Sequence, residues 1–89
     1  KAEKLIEQNP KTSLSGDYYE FLGQCYTHQK NYDLALENLK KCEGIRKDIE
    51  PGKNWRTYTG MARIYKLIKN NDLHEKYNEQ SNKLSKIQN

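Results

Sequence analysis

Long hydrophobic runs are missing from this 89-residue chain. No stretch approaches the ~20 consecutive apolar residues of a membrane span, so no membrane association is expected. Cysteine is scarce: Cys25 and Cys42 are too few for a disulfide scaffold, and no Cys-x-x-Cys or Cys/His metal spacing occurs. Both fall on the predicted inner sides of neighbouring helices. There a free thiol behaves as a small hydrophobe, which points to a reducing compartment and a cytoplasmic location. Histidine is limited to His28 and His74, and neither sits at a catalytic or metal-binding spacing. A Gly-rich phosphate loop, His-Glu-x-x-His and Gly-x-Ser-x-Gly are all absent, so no enzyme activity, cofactor or metal is expected. Cys25 does lie three residues before His28, and such positions are neighbours on a helix. The apolar spacing turns Cys25 inward and His28 towards the rim, which separates the pair. No run of five like charges occurs among 16 basic and 12 acidic residues. A nucleic-acid binder more often gathers its basic residues on one face, so the net charge of +4 reads as a solvated surface without direct nucleic-acid contact. Nothing alternates with period two, so no sheet is predicted.

What is present is helical. The hydrophobic fraction is 34%, the charged fraction 31% and the mean hydropathy −1.20, values at the solvated end. Seven tyrosines and periodic apolar residues argue against disorder, which is usually poor in aromatics. The length suits one small, thin-cored domain. The chain begins at Lys1 and its one methionine is Met61, so the expectation is a piece of a longer protein.

Taken in order, residues 1–8 read as the last turns of a helix, with Leu5 and Ile6 able to pack, and Asn9–Pro10 ends it. A first full helix is predicted over 16–28, with Ser15 as cap and Asp17 in the first turn suiting the helix dipole. Its stripe is Tyr19, Leu22, Cys25 and Tyr26. Gly23 in mid-helix costs about 1 kcal/mol against alanine, which implies another helix crossing closely there. Asn31 caps a second helix over 32–48, whose wide apolar face runs through Leu34, Ala35, Leu36, Leu39, Cys42, Ile45 and Ile49. The short turn between the two makes them antiparallel. Pro51–Gly52 breaks the chain. A third helix is predicted over 54–69 with Asn54 as cap and Trp55, Tyr58, Met61, Ala62, Ile64, Tyr65 and Ile68 as its apolar, core-facing positions, and a fourth over 72–87. The fourth carries one narrow stripe of Leu73, Tyr77, Leu84 and Ile87, as in a helix that closes an array.

At an offset of 39 residues the sequence repeats itself. The pairs are Tyr19/Tyr58, Leu22/Met61, Gly23/Ala62, Tyr26/Tyr65, Lys30/Lys69, Asn31/Asn70, Leu34/Leu73 and Cys42/Ser81. At Tyr19, Leu22, Gly23, Tyr26, Ala35, Leu39 and Cys42 the chain resembles the tetratricopeptide repeat family, whose pattern has a Leu-Gly step, a tyrosine and a later alanine at matching spacing. The second unit departs from that pattern at His74, where a small residue is expected, and at Asn78, where a large apolar one is. Lys47 replaces the closing proline, and a longer connector over 47–53 stretches the usual 34-residue period. The resemblance implies an all-α fold of antiparallel helix-turn-helix repeats stacked as a short right-handed α-solenoid. On this reading residues 1–10 are the tail of a preceding repeat, 16–49 the first repeat, and 54–88 the second with its closing helix.

In this family, the resemblance implies, the first helix of each pair lines a concave surface that binds a peptide or partner helix. The outward positions there are Asp17, Glu20, Phe21, Gln24, Thr27 and His28 on the first helix, and Arg56, Thr59, Gly60, Arg63, Lys66 and Leu67 on the third. The candidate partner-binding residues are Glu20, Phe21, Gln24, His28, Arg56, Arg63 and Lys66, with Arg63 foremost because a guanidinium fork pairs well with carboxylates. Some family members clamp a C-terminal carboxylate with Lys and Asn. Glu20, Gln24 and Gly60 stand at those positions here, so that clamp is not expected. The leading expectation is a non-catalytic protein- or peptide-binding scaffold. The alternatives are a peptide- or ligand-sensing section of a multidomain regulator, and self-association through the edge at Leu5 and Ile6.

Overall fold

A computed structural model describes residues 13–88. The expected helix over 1–8 and the Leu5–Ile6 edge lie outside these residues. Every described element is helical. Helix α1 spans Ser13–His28 and α2 spans Tyr32–Ile49. A 3₁₀ turn at Pro51–Lys53 leads to α3, Asn54–Leu67, and then α4, Asn71–Gln88. The helices pack in two pairs, α1 on α2 and α3 on α4, with α2 against α3 as the seam. The Cα envelope measures 38 × 32 × 16 Å, a slab two helices thick.

The helix ends differ from expectation in instructive ways. Helix α1 begins at Ser13, three residues before the predicted start. Ser15 is therefore inside the helix and buried rather than at its cap. Asp17 is past the first turn, where the dipole is no longer felt, and it binds an arginine instead. Asn31 precedes α2 but makes no side-chain cap hydrogen bond. Asn54 is the first residue of α3, and its amide donates to Glu43 O at 3.2 Å, tying α3 to α2. Helix α3 stops at Leu67 rather than residue 69, because Ile68 and Lys69 belong to the turn.

The 39-residue repeat is geometric as well as chemical. Lys30 and Lys69 both hold left-handed backbones, with φ of 62° and 64°. Asn31 N donates to Tyr26 O at 2.8 Å, and Asn70 N donates to Tyr65 O at 2.8 Å. Lys30 N reaches Thr27 O and Lys69 N reaches Lys66 O. These are two Schellman turns, in which a left-handed residue after the helix lets two free carbonyls find donors. Lysine stands where glycine is usual. Further along, Cys42 Sγ lies 3.2 Å from Gly16 O, and Ser81 Oγ lies 2.8 Å from Trp55 O. The same position in each pair therefore ties its second helix to the start of its first.

The core is small. Ala35, Leu39, Met61, Ile64 and Tyr65 form its buried centre, and half-buried residues including Tyr26, Tyr58, Leu73 and Tyr77 pack round it. The close approach expected at Gly23 is present. A Cβ there would stand 2.7 Å from Leu39 Cγ. In the second pair, His74 Nδ1 bonds the Ala62 carbonyl at 2.9 Å, which draws α4 onto α3 at the position where a small residue was expected. Asn78 is exposed, and the large ring comes from Tyr77 instead. Tyr77 stacks between Tyr58 and Tyr65, with centroids 5.8 and 5.6 Å away.

This tyrosine stack carries a pH dependence. Burial, first, and a hydrogen bond to the Glu43 carboxylate hold the Tyr58 hydroxyl well above its usual pKa. Burial, first, then Tyr65 and Glu43, also raise Tyr77. Folding thus favours the neutral phenols. Their contribution is complete below the unfolded value of about 10 and is lost as pH rises through the folded one. The thermal midpoint is expected to fall as pH rises above about 10, and to fall less steeply in Tyr58→Phe. An identical slope for wild type and variant, followed by circular dichroism, would refute this assignment.

Candidate functional site

Arg46 organises the site from beneath. It continues the inner stripe of α2, where Ala35, Leu39, Cys42 and Arg46 follow one another at helical spacing, and it is fully buried. A buried charge needs partners, and Arg46 has three. Nη2 donates to Asp17 Oδ1 at 2.8 Å, Nη1 lies 2.7 Å from Glu20 Oε1, and Nη1 also donates to Thr57 Oγ1 at 3.2 Å. Thr57 Oγ1 stands 3.3 Å from Cys42 Sγ, which in turn bonds Gly16 O. The donors fit one direction: guanidinium to Thr57, hydroxyl to Cys42, thiol to the Gly16 carbonyl. This chain stitches α1, α2 and α3 together. Burial pushes the Cys42 thiol pKa up, so it remains a neutral donor at physiological pH. Gly16 makes room for the guanidinium, since a Cβ there would lie 3.2 Å from Arg46 Nε.

Glu20 is the link to the surface. The helical wheel pointed it outward, but it is 6% exposed. Two arginines hold it inward: Arg46 on Oε1, and Arg56 Nη2 at 3.0 Å from Oε2. Gln24 Nε2 adds a bond to Oε2 at 3.2 Å. Glu20 is thus a structural carboxylate in the wall of a groove and has no charge to spare for a partner.

The groove runs between α1 and α3 and encloses about 330 Å³. Leu39 of α2 forms its floor, flanked by Gly23 and Gly60, whose missing side chains let Leu39 fit closely between the two walls. Trp55, Arg56, Thr59 and Arg63 line the α3 side, and Glu20, Gln24, Thr27 and His28 the α1 side. Five of the seven residues predicted from sequence line it: Glu20, Gln24, His28, Arg56 and Arg63. Phe21, 61% exposed, lines an adjoining depression with Asp17 and shares Glu20, Gln24 and Arg56 with the groove. Lys66 is exposed and lines neither. The wheel reading missed Trp55, assigned to the core, and the floor residue Leu39. It also missed Arg46, whose one signal was its place in the inner stripe. Cys25 is half-buried, His28 is exposed, and no hydrogen bond joins them. Among the described residues no three His, Cys, Asp or Glu side chains are placed to hold a metal ion, and no helix is long and apolar enough to cross a membrane.

No family model, curated protein or solved structure matches this chain.

Proposed function

We propose that this chain is a non-catalytic scaffold module of tetratricopeptide type, stacked as a short solenoid, which binds a peptide segment in the groove between α1 and α3. The observation that carries this reading is the groove itself. It is open, it combines an indole and an aliphatic floor with a polar rim, and it lies between the first helices of two repeated pairs. Binding sites typically combine apolar lining with a few placed polar groups, and at about 330 Å³ this one is at the lower end of the usual range. The volume suits one or two anchoring side chains of a longer segment.

Peptides selected on the full chain from a display library provide the test. Gly60→Phe, which fills the groove, and Arg63→Glu, which reverses the charge of its rim, are each expected to weaken a selected peptide by about tenfold or more, ~1.4 kcal/mol. Arg63 is exposed, so the helical circular dichroism of Arg63→Glu should match wild type. Unchanged affinity in both variants would remove the groove as the site.

A further inference from the structure

Two carboxylates, Asp17 and Glu20, face three guanidinium groups, Arg46, Arg56 and Arg63. Glu20, the one carboxylate that lines the groove, is held by Arg46 and Arg56. Asp17 gives one oxygen to Arg46 and is half-exposed in the adjoining depression, outside the groove. A basic side chain inside the groove therefore meets no unpaired carboxylate. Arg63 makes no ion pair among the described residues, and Arg56 is half-exposed with one of its nitrogens engaged. The unspent charge of the groove is positive and lies on the α3 wall, beside Trp55. A guanidinium presents five donors in a planar fork that matches a carboxylate.

Resting on the peptide-binding reading, we propose that the groove selects an internal acidic segment. In it a large apolar side chain lies over Leu39 against Trp55, and a neighbouring Asp or Glu carboxylate pairs with Arg63 and the free edge of Arg56. The segment is internal because a second depression, at Phe21, adjoins the groove and shares Glu20, Gln24 and Arg56 with it, so a chain lying over the Glu20–Arg56 pair can reach from one to the other. Asp17 in that depression also disfavours a terminal carboxylate.

The test uses a positional-scanning library of hexapeptides, N-acetylated and C-amidated so that side chains alone carry charge. Binding to the full chain is read from the fluorescence of Trp55, its single tryptophan. Pools with Asp or Glu next to Leu or Phe are expected to bind at least about tenfold more tightly than the matching Asn or Gln pools. Arg63→Gln should reduce that ratio to about twofold or less. Amide or basic pools that bind as tightly as acidic ones would overturn the acidic preference and leave the peptide groove standing. Tighter binding by a matched set of peptides with free C-termini than by the amidated acidic pools would overturn the internal register. If no pool binds, the peptide-binding reading falls together with the proposal.

Discussion

Arg46→Met is expected to lower the thermal midpoint by about 12 °C or more. The methionine fills much of the space, so the cost is electrostatic. It strands Glu20, which is 8% exposed at its side chain, between helices with one of its two arginines gone. It also removes the donor that begins the Thr57–Cys42–Gly16 chain. Breaking a buried ion pair from one side costs about 3–5 kcal/mol. In a domain of this length each kcal/mol is worth about 4–8 °C. Total stability at ~0.05–0.15 kcal/mol per residue is about 4–13 kcal/mol, so one substitution removes a large share of it. Removing both buried charges differs from removing one. The double variant Arg46→Met with Glu20→Met is expected to recover part of the loss, because paired ions replaced by apolar groups leave no stranded charge. Arg46→Lys should fall between, since an ammonium cannot reproduce the fork that reaches Asp17, Glu20 and Thr57 at once. Differential scanning calorimetry decides the matter. A drop smaller than about 3 °C for Arg46→Met would show that the network is ornamental to stability.

Gly23→Leu is expected to destabilise the fold by ~1–3 kcal/mol through overpacking. The contact is with Leu39 Cγ, at 2.7 Å from an added Cβ, and the branch carbon cannot swing aside as a side-chain tip can. Leu39 is itself pressed from the other side, where a Cβ at Gly60 would meet its Cδ1 at 3.2 Å. Movement of the leucine towards α3 is therefore limited by the close approach of Gly60. Helix propensity works the opposite way, favouring a residue other than glycine by up to about 1 kcal/mol, so the measured loss is net of that gain. Chemical denaturation gives the comparison. A midpoint equal to wild type would mean that α1 and α2 separate freely at Gly23.

Much of the fold was legible because the repeat carries its geometry in residue identity. The Lys-Asn steps at 30–31 and 69–70 are where the two Schellman turns form. Gly23 announced a close crossing, and one is there. The four helices followed from period alone. Their ends did not: Ser15 and Asn54 have the chemistry of caps, but tertiary contacts claim both side chains' surroundings. The site was half legible for a related reason. A helical wheel assigns a direction to each side chain and knows nothing of the neighbouring helix. Glu20 points outward on its own helix, yet an arginine from α2 and one from α3 enclose it. Arg46 occupies an inward position in the stripe, and its charge disguised it among 16 basic residues. Trp55 was placed in the core by hydrophobicity, while the groove exposes part of it.

The groove takes its two walls from different helix pairs and its floor from α2, which borders both. Its width is therefore set by how the two pairs pack across the seam. The pairs join covalently through the short turn at Pro51–Lys53, and across the seam they are fastened by Arg56 to Glu20 and Arg46 to Thr57. Seen this way the molecule is a clasp: its two halves share one apolar core across the seam, and what fastens them beside the groove is charge.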